Sequence, residues 1–269
     1  MKHSKSRLTP HASRLTMEDG FSLVELVMVI VLLGILGSMG AEFISLSFKG
    51  FSDTQARAEI YEEGKIALTR MEKELRNAVP NALKKTTNPY DELQFGMVDE
   101  AAMGDNALFG QYRETAADFP TATLTDINTN ATPQTNWILS VYNRKWTNDF
   151  DNGGRLFKVT GTSPPAMTMG GSISQSSPEQ RYYVVNKAIR YSLFNTTLYR
   201  DELPVDENGL VGAFIDGNGY PLARDVTALD IYYAAGSLNR NAMVSISFTM
   251  LKNGQKVDFH KEVSIRNAP

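Results

Sequence analysis

The run from Phe21 to Ala41 restricts the fold of this chain more than any other stretch. It is apolar or small throughout, with one charged residue, Glu25. As a helix it would be about 30 Å long, which matches the hydrocarbon core of a bilayer. A carboxylate at that depth costs on the order of a few kcal/mol unless it has a partner. We therefore predict one membrane-spanning helix in which Glu25 requires a partner.

Two ordinary explanations of the run leave part of it unexplained. A secretory signal has a shorter apolar core and is cleaved after that core, where Gly37 to Ala41 would supply the small residues. A plain uncleaved anchor needs only the apolar length. Neither accounts for Glu25, nor for the abrupt start of the run after Gly20.

Residues 20–25, Gly-Phe-Ser-Leu-Val-Glu, resemble the type III signal of type IV pilins and of the pseudopilins of type II secretion systems. The resemblance implies that residues 1–20 are a leader, which a prepilin peptidase removes by cutting between Gly20 and Phe21. It also implies N-methylation of Phe21 and an assembly role for Glu25. In a helical fibre the Glu25 carboxylate would neutralise the terminal amine of a neighbouring subunit. Residues 21–41 would be the transmembrane and assembly segment.

The distribution of charge predicts on which side of the membrane each end of the chain lies. In residues 1–20 four Lys and Arg oppose two carboxylates, a net charge of +2, which leaves −5 for the remainder of a chain whose total is −3. A positive flank holds the N-terminus in the cytoplasm, with the C-terminal part on the other side. The mildly acidic remainder gives no reason to expect nucleic-acid binding. Because the chain has no cysteine, it has no disulfide and no thiolate-metal site.

Residues 42–79 continue the helix with an amphipathic pattern. Apolar positions three and four apart share one face, and they are Ile60, Tyr61, Gly64, Leu68, Met71, Leu75 and Val79. Charged residues such as Glu59 and Glu72 occupy the other sides and are predicted to face solvent. Pro80 and Asn81 are predicted to end the helix.

The remaining residues, 81–269, have the short apolar runs and turn signals of a β-rich domain. Residues 99–135 show little periodicity and are predicted to form a long surface excursion. Strand candidates are 93–98, 137–142, 156–159, 182–185, 189–194 and 198–200. The predicted fold is α+β: a long N-terminal helix, membrane-spanning in its first half and amphipathic in its second, packed on a mainly antiparallel β-sheet.

The last hairpin can be read in register from the sequence. Asn253-Gly254 favours a two-residue type I′ turn. Pairing outward from this turn places apolar pairs on one face and polar pairs on the other. The apolar pairs are Met250–Val257, Phe248–Phe259 and Val244–Val263, and the polar pairs are Thr249–Asp258, Ser247–His260 and Ser245–Glu262. Lys261 interrupts the apolar face opposite Ile246, which indicates a strand at the border of a sheet.

Longer stretches are similar to J-type minor pilins and pseudopilins. They are residues 188–200, which end in Leu-Tyr-Arg, and residues 222–233. Residues 177–185 and 263–269 resemble the O-type minor pilin of the mannose-sensitive haemagglutinin (MSHA) pilus. The resemblance implies a minor pilin that inserts in the inner membrane with its C-terminal domain in the periplasm, and then enters the fibre near the tip.

The partners implied by this resemblance are the prepilin peptidase, other minor pilins, the major pilin and the inner-membrane assembly platform. With them the chain would help to initiate pilus assembly or cap the tip by non-covalent association. Two alternatives share the architecture. One is a J-type minor pseudopilin of a type II secretion system. The other is a tip adhesin, for which Trp137, Trp146 and several tyrosines could stack on sugars.

The chain offers few residues for chemistry. His260 is the only histidine after residue 20, so a zinc cluster of His and Cys is excluded. A Ser-His-acid triad would need His260 with Ser247 and Glu262, on a polar hairpin face and without a nucleophile elbow. Asp149–Gly153 and Asp216–Gly219 resemble the start of calcium loops but fit tight turns better. We predict no enzymatic activity, no cofactor and no metal site.

Overall fold

The computed structural model describes residues 20–87, 90–104, 107–127, 132–143, 155–206, 211–236 and 241–265. By its internal contacts the chain divides into two units, Met1–Ser52 and Asp53–Pro269. One helix, α1 (Leu23–Arg76), begins in the first unit and continues into the second. In the second unit it packs on antiparallel sheets, so the α+β layout is confirmed.

The strands of the second unit account for most of its described residues. They are β1 (Ala78–Thr87), β2 (Asp91–Val98), β3 (Gly110–Gln111), β4 (Thr121–Thr125), β5 (Ile138–Val141), β6 (Leu156–Ser163), β7 (Ala166–Ile173), β8 (Arg181–Phe194), β9 (Thr197–Pro204), β10 (Tyr220–Ala223), β11 (Val226–Ala234), β12 (Ala242–Lys252) and β13 (Gln255–Ile265). A short helix, α2 (Glu100–Met103), and a 3₁₀ turn (Ala116–Asp118) lie between strands.

These strands form two antiparallel sheets. In the described residues the larger sheet follows the order β1-β2-β8-β5-β6-β7-β4, with β3 and β9 also beside β8 and β10 beside β9. The smaller sheet has the order β11-β12-β13. One hydrophobic core, with Met71, Phe95 and Phe248, lies between α1 and both sheets. A second, with Leu139 and Tyr182, lies on the larger sheet away from the helix.

The helix ends at Arg76, a few residues before the end predicted from Pro80 and Asn81. A residue that precedes proline is pushed out of the α region, so Val79 must be extended. The main chain just before it is recruited into the sheet, where Val98 N donates to Asn77 O at 3.0 Å and Ala78 pairs with Met97.

The buried face of α1 begins at Ala56 and includes a carboxylate. Its buried residues are Ala56, Ile60, Gly64, Ala67, Met71, Glu74 and Leu75. Four of the predicted apolar positions are therefore confirmed as buried helix positions, and Leu68 is partly buried. The prediction that Tyr61 belongs to the buried face was wrong, because 53% of this residue is exposed. Val79 is buried in β1 and not in the helix. The buried face also contains the small residues Ala56 and Ala67, which the predicted apolar pattern did not include.

Gly64 allows the closest approach of α1 to the smaller sheet. A Cβ placed on Gly64 would lie 2.2 Å from Cζ of Phe259. The ring of Phe259 therefore occupies the space that any side chain at this helix position would need. The same ring stacks on Phe248 at a centroid distance of 4.9 Å.

A buried ion pair joins α1 to the larger sheet. Arg200 Nε on β9 donates to both carboxylate oxygens of Glu74 at 2.8 Å. The hydroxyl of Tyr191 on β8 donates to Glu74 Oε2 at 2.6 Å. Burial and the nearby Glu74 charge raise the pKa of Tyr191 well above its ordinary value, so the phenol stays a donor. Arg70 Nε, one turn earlier on the helix, also donates to Glu74 at 3.2 Å.

Other glutamates of the helix also have partners in the β-rich part of the second unit, while remaining at least partly exposed to solvent. Glu59 accepts from Lys252 Nζ at 2.6 Å, and Glu72 lies 2.9 Å from Lys261 Nζ. These hydrogen bonds lower the pKa of both carboxyls. Glu63 accepts from the main-chain N of Arg224 at 2.9 Å. The predicted solvated face is confirmed at Glu59, which is exposed, whereas Glu72 is only partly exposed; both also form ion pairs with lysines of the smaller sheet.

Most of the predicted strands are present, and the differences are in their extents. The candidates 182–185 and 189–194 are one continuous strand, β8, because Lys187 and Ala188 pair with both β2 and β9 and Asn186 O accepts from Val205 N at 3.0 Å. The region 99–135 is more ordered than predicted, since it contains α2, β3 and β4. The hairpin register is confirmed at all six predicted pairs, and β13 is the border strand that Lys261 indicated.

Asp91 joins the two sheets at the start of β2. Its Oδ2 accepts from the main-chain N of Ile231 on β11 at 2.8 Å and lies 2.8 Å from Lys85 Nζ. Burial pushes the pKa of Asp91 upward, but the hydrogen bonds from Lys85, Thr87 and Ile231 together outweigh it. They lower the pKa from 3.8 to about 2.

We expect Arg200→Met to destabilise the second unit by about 2–4 kcal/mol, because it leaves the Glu74 carboxylate buried with only weaker partners. The double variant Glu74→Leu/Arg200→Met should recover most of the loss, since it removes both charges. Urea unfolding of the full chain in detergent, followed by tryptophan fluorescence, measures this. Arg76→Met, which breaks an exposed i,i+4 pair with Glu72, should cost no more than about 0.5 kcal/mol. Equal costs for the two arginines would contradict a clamp at Glu74.

We expect Asp91→Asn to lower the free energy of unfolding by about 1–3 kcal/mol at pH 7. The folded chain holds the Asp91 pKa below its ordinary value, so this stabilisation is full above about pH 4 and is lost as the pH falls towards 2. The difference between wild type and variant should therefore vanish near pH 2. Urea midpoints at several pH values test this, with the exposed Asp230→Asn as control. A difference that is independent of pH would contradict it.

Candidate functional site: the N-terminal segment of the helix

The predicted cleavage position lies outside regular structure. The helix begins at Leu23. In its first turn, Leu26 N donates a hydrogen bond to Ser22 O at 3.1 Å. Gly20 and Phe21 precede the helix and are exposed, Phe21 to 80%. A Cβ on Gly20 would meet no atom within 4 Å. The fold of the chain itself therefore does not require glycine here, and any requirement for it comes from another molecule.

The first half of α1 presents apolar side chains on all sides. From Leu23 to Phe51 each large apolar residue of the helix is exposed, by between 44% for Val29 and 78% for Leu23. The helix is long and apolar enough to cross a membrane. A surface of this kind is stable only against lipid or against other apolar helices.

Glu25 lies in the first turn of α1 and is exposed. Among the described residues none forms a hydrogen bond or an ion pair with its side chain. A carboxylate at a helix N-terminus is favoured by the helix dipole, but this does not replace the water that it loses in an apolar medium. The position is therefore suited to bind a cation supplied by another chain end or subunit.

The apolar surface continues past Ala41, the predicted end of the membrane segment. Phe43, Phe48 and Phe51 are each exposed by about 70%, and with Ile44 they line a shallow apolar groove on the helix. The groove lies on the last turns of the first unit. It extends the apolar surface that must be covered by roughly three helical turns beyond Ala41.

The only arrangement that resembles a catalytic triad in the described residues is on the smaller sheet. His260 Nδ1 lies 2.9 Å from Ser247 Oγ, and Glu262 lies 3.9 Å from Nε2. A serine hydrolase uses the two nitrogens the other way round, with the nucleophile at Nε2 and the acid at Nδ1. The side chains of His260 and Glu262 are about 60% exposed on an open sheet face. This geometry gives no support to hydrolysis, and the absence of enzymatic activity stays a prediction.

Of the two sequences that resemble calcium loops, the structure describes only the second. Asp149–Gly153 lies outside the described residues. At the second sequence, Asp216 Oδ1 accepts from Arg190 Nη1 at 2.7 Å, and Gly217 has a φ of 74°, which is a turn as predicted. In the part of the chain that the structure describes, no group of three or more His, Cys, Asp or Glu side chains is placed to hold a metal ion.

The aromatic residues considered for sugar binding differ in their exposure, and one of them lies outside the described residues. Trp137 packs against the second hydrophobic core, and Trp146 lies outside the described residues. Tyr61, Tyr90, Tyr220 and Tyr232 are exposed. They lie in different parts of the fold.

Comparison with known proteins adds no family to these observations. No family model, no curated protein and no solved structure matches the chain. The N-terminal segment is thus the candidate site on geometry and sequence: an accessible Gly20–Phe21 bond, an exposed apolar helix and one carboxylate. What sequence reasoning missed is the Glu74–Arg200 clamp. The signal was present, because Glu74 is spaced for the buried face between Met71 and Leu75.

Proposed function

We propose that the chain is a minor pilin of an MSHA-like type IV pilus, processed at Gly20 and assembled through its N-terminal helix. The observation that carries the proposal is the combination of three features within one segment. The Gly20–Phe21 bond precedes the helix, Glu25 is in the first turn, and the following side chains are exposed and apolar through Phe51.

Each feature has a role in the proposed pathway. An exposed Gly20–Phe21 bond outside regular structure is accessible to a prepilin peptidase. The apolar helix remains in the inner membrane while the β-rich unit is in the periplasm. In the fibre the same surface packs against helices of the major pilin and other minor pilins, to which the assembly platform delivers it. The amine created at Phe21 in one subunit then neutralises Glu25 of the next.

The second unit supports this proposal by its attachment to the helix. The Glu74–Arg200 pair and the contacts of Glu59, Glu63 and Glu72 fix the second half of the helix to the sheets. A subunit that assembles through its helix needs such an attachment, because the attachment holds the sheets in one orientation on the second half of the helix. The work is structural, and non-covalent association accomplishes it near the tip of the fibre.

Processing can be tested by expressing the full chain with and without a matching prepilin peptidase and determining the N-terminus by mass spectrometry. We expect a chain that begins at N-methylated Phe21 only when the peptidase is present. Gly20→Ala should abolish the cut, although the folded chain has room for the added methyl. Ser22→Ala serves as the matched control. An intact N-terminus with an active peptidase, or a cut after Ala41, would contradict the proposal.

The role of Glu25 can be tested separately from processing. We expect Glu25→Gln to be cleaved and membrane-inserted as the wild type is, but to be lost from sheared fibres by about tenfold or more, because the neutral amide cannot compensate the buried amine charge. Glu42→Gln, an exposed carboxylate of the same helix beyond the predicted membrane segment, should assemble normally. Equal recovery of both variants in fibres would show that Glu25 is dispensable.

A further inference from the structure

The outer edge of β13 is a long strand edge with free main-chain groups. β13 pairs with β12 over eleven consecutive residue pairs without a register shift. Around a two-residue turn the first pair, Lys252 and Gln255, is hydrogen-bonded, and bonded pairs then alternate along the ladder. The N–H and C=O groups of the even-numbered residues from Lys256 to Ser264 therefore point away from β12. In the described part of the chain no hydrogen bond reaches them.

The opposite edge of the same sheet, β11, has an outward main-chain group that is already bound. On β11 the outward N–H of Ile231 is bound by the Asp91 carboxylate at 2.8 Å. Proteins commonly protect strand edges with prolines, bulges or inward-pointing charges. β13 has no proline and no bulge. Its one inward charge, Lys261, is held 2.9 Å from Glu72 on the helix and so does not project from the edge.

The side chains along this edge alternate between basic and acidic types. On the polar face they follow the order Lys256, Asp258, His260, Glu262, and each of these side chains is about 60% exposed. Antiparallel pairing reverses the order of a second, identical strand. If Phe259 of the two copies lie opposite each other, Lys256 faces Glu262 and Asp258 faces His260, and each pair occurs twice.

This register is distinguished from its neighbours by charge. A shift of two residues in one direction places Asp258 opposite itself, and a shift in the other direction places Asp258 opposite Glu262. Like charges directly opposite each other destabilise a strand pair, whereas opposite charges stabilise it. On the other face of the sheet, the exposed ring of Tyr61 stacks 6.2 Å from Phe259 and provides apolar surface beside the symmetry axis.

We propose that the β13 edge binds a second copy of this chain by antiparallel strand pairing centred on Phe259, which joins two three-stranded sheets into one of six strands. Strand addition of this kind takes its affinity from main-chain hydrogen bonds and its specificity from the side chains along the edge. The proposal depends on the edge of β13 alone, and not on cleavage at Gly20 or on fibre assembly.

The register can be tested by disulfide cross-linking, because the chain has no cysteine of its own. Two differently tagged full-length chains, Asp258→Cys and His260→Cys, are co-expressed in the membrane and oxidised. In the proposed register their Cα atoms lie about 5.5 Å apart, within disulfide range. Either variant alone places its cysteines about 8 Å apart, so its cross-linked dimer should be about tenfold less abundant.

Ser245→Cys is the matched control, since it lies on the same face but on the central strand β12. A mixture that cross-links no better than Ser245→Cys would overturn the proposal. So would single variants that cross-link as well as the mixture, because that result indicates another register or association through the apolar helix alone.

Charge reversal in the Asp258→Cys/His260→Cys mixture tests the remaining Lys256–Glu262 pairs. Lys256→Glu or Glu262→Lys in both chains should reduce the cross-linked dimer about tenfold, because two attractive pairs become repulsive. The double reversal Lys256→Glu/Glu262→Lys should restore it. Glu179→Lys, an exposed carboxylate that precedes β8, should have no effect. A double reversal that stays as weak as the single ones, with wild-type circular dichroism, would exclude self-pairing in this register.

Discussion

The buried pairing of Glu74 with Arg200 is the contact on which the arrangement of the second unit depends. Both side chains are nearly inaccessible, and Tyr191 completes the coordination of the carboxylate. A buried ion pair adds little net stability, because desolvation offsets most of the attraction. Its contribution is positional. A helix that was rotated or shifted would leave the carboxylate or the guanidinium buried without its partner, so only one placement of the helix on β8 and β9 is compatible with folding.

Around this contact, the two halves of α1 obey different physical constraints. From Ala56 onward the helix buries small and apolar residues against the sheets. Before Ser52 it exposes apolar side chains in all directions. That surface belongs to a separate unit, Met1–Ser52. A chain built in this way requires an apolar environment from outside, and the proposals of membrane insertion and fibre assembly are two successive answers to that requirement.

The sequence was most informative where local signals agree. Asn253-Gly254 and strict alternation determine the final hairpin to the residue, because a slip by one position would turn every apolar side chain to solvent. It was less informative where tertiary contacts decide. Pro80 marks the end of the helix, but pairing of Ala78 with Met97 moves that end to Arg76. Glu74 has the same charge as its solvated neighbours, and only the position of Arg200, far along the chain, makes it a buried residue. The interpretation of residues 20–25 rests on resemblance, and their geometry is compatible with it.

The close approach at Gly64 has a mechanical consequence. The Phe259 ring fills the space where a side chain at this position would lie, so it sits in a notch whose walls are the side chains of the adjacent turns. Sliding the helix along its axis would drive a side chain of an adjacent turn on the same face, Ile60 or Leu68, into the ring. A pull on the N-terminal half is therefore resisted by steric interlock, in addition to the electrostatic clamp, and the force is delivered to β13. Tension on the helix and pairing at the sheet border would thus act on the same strand.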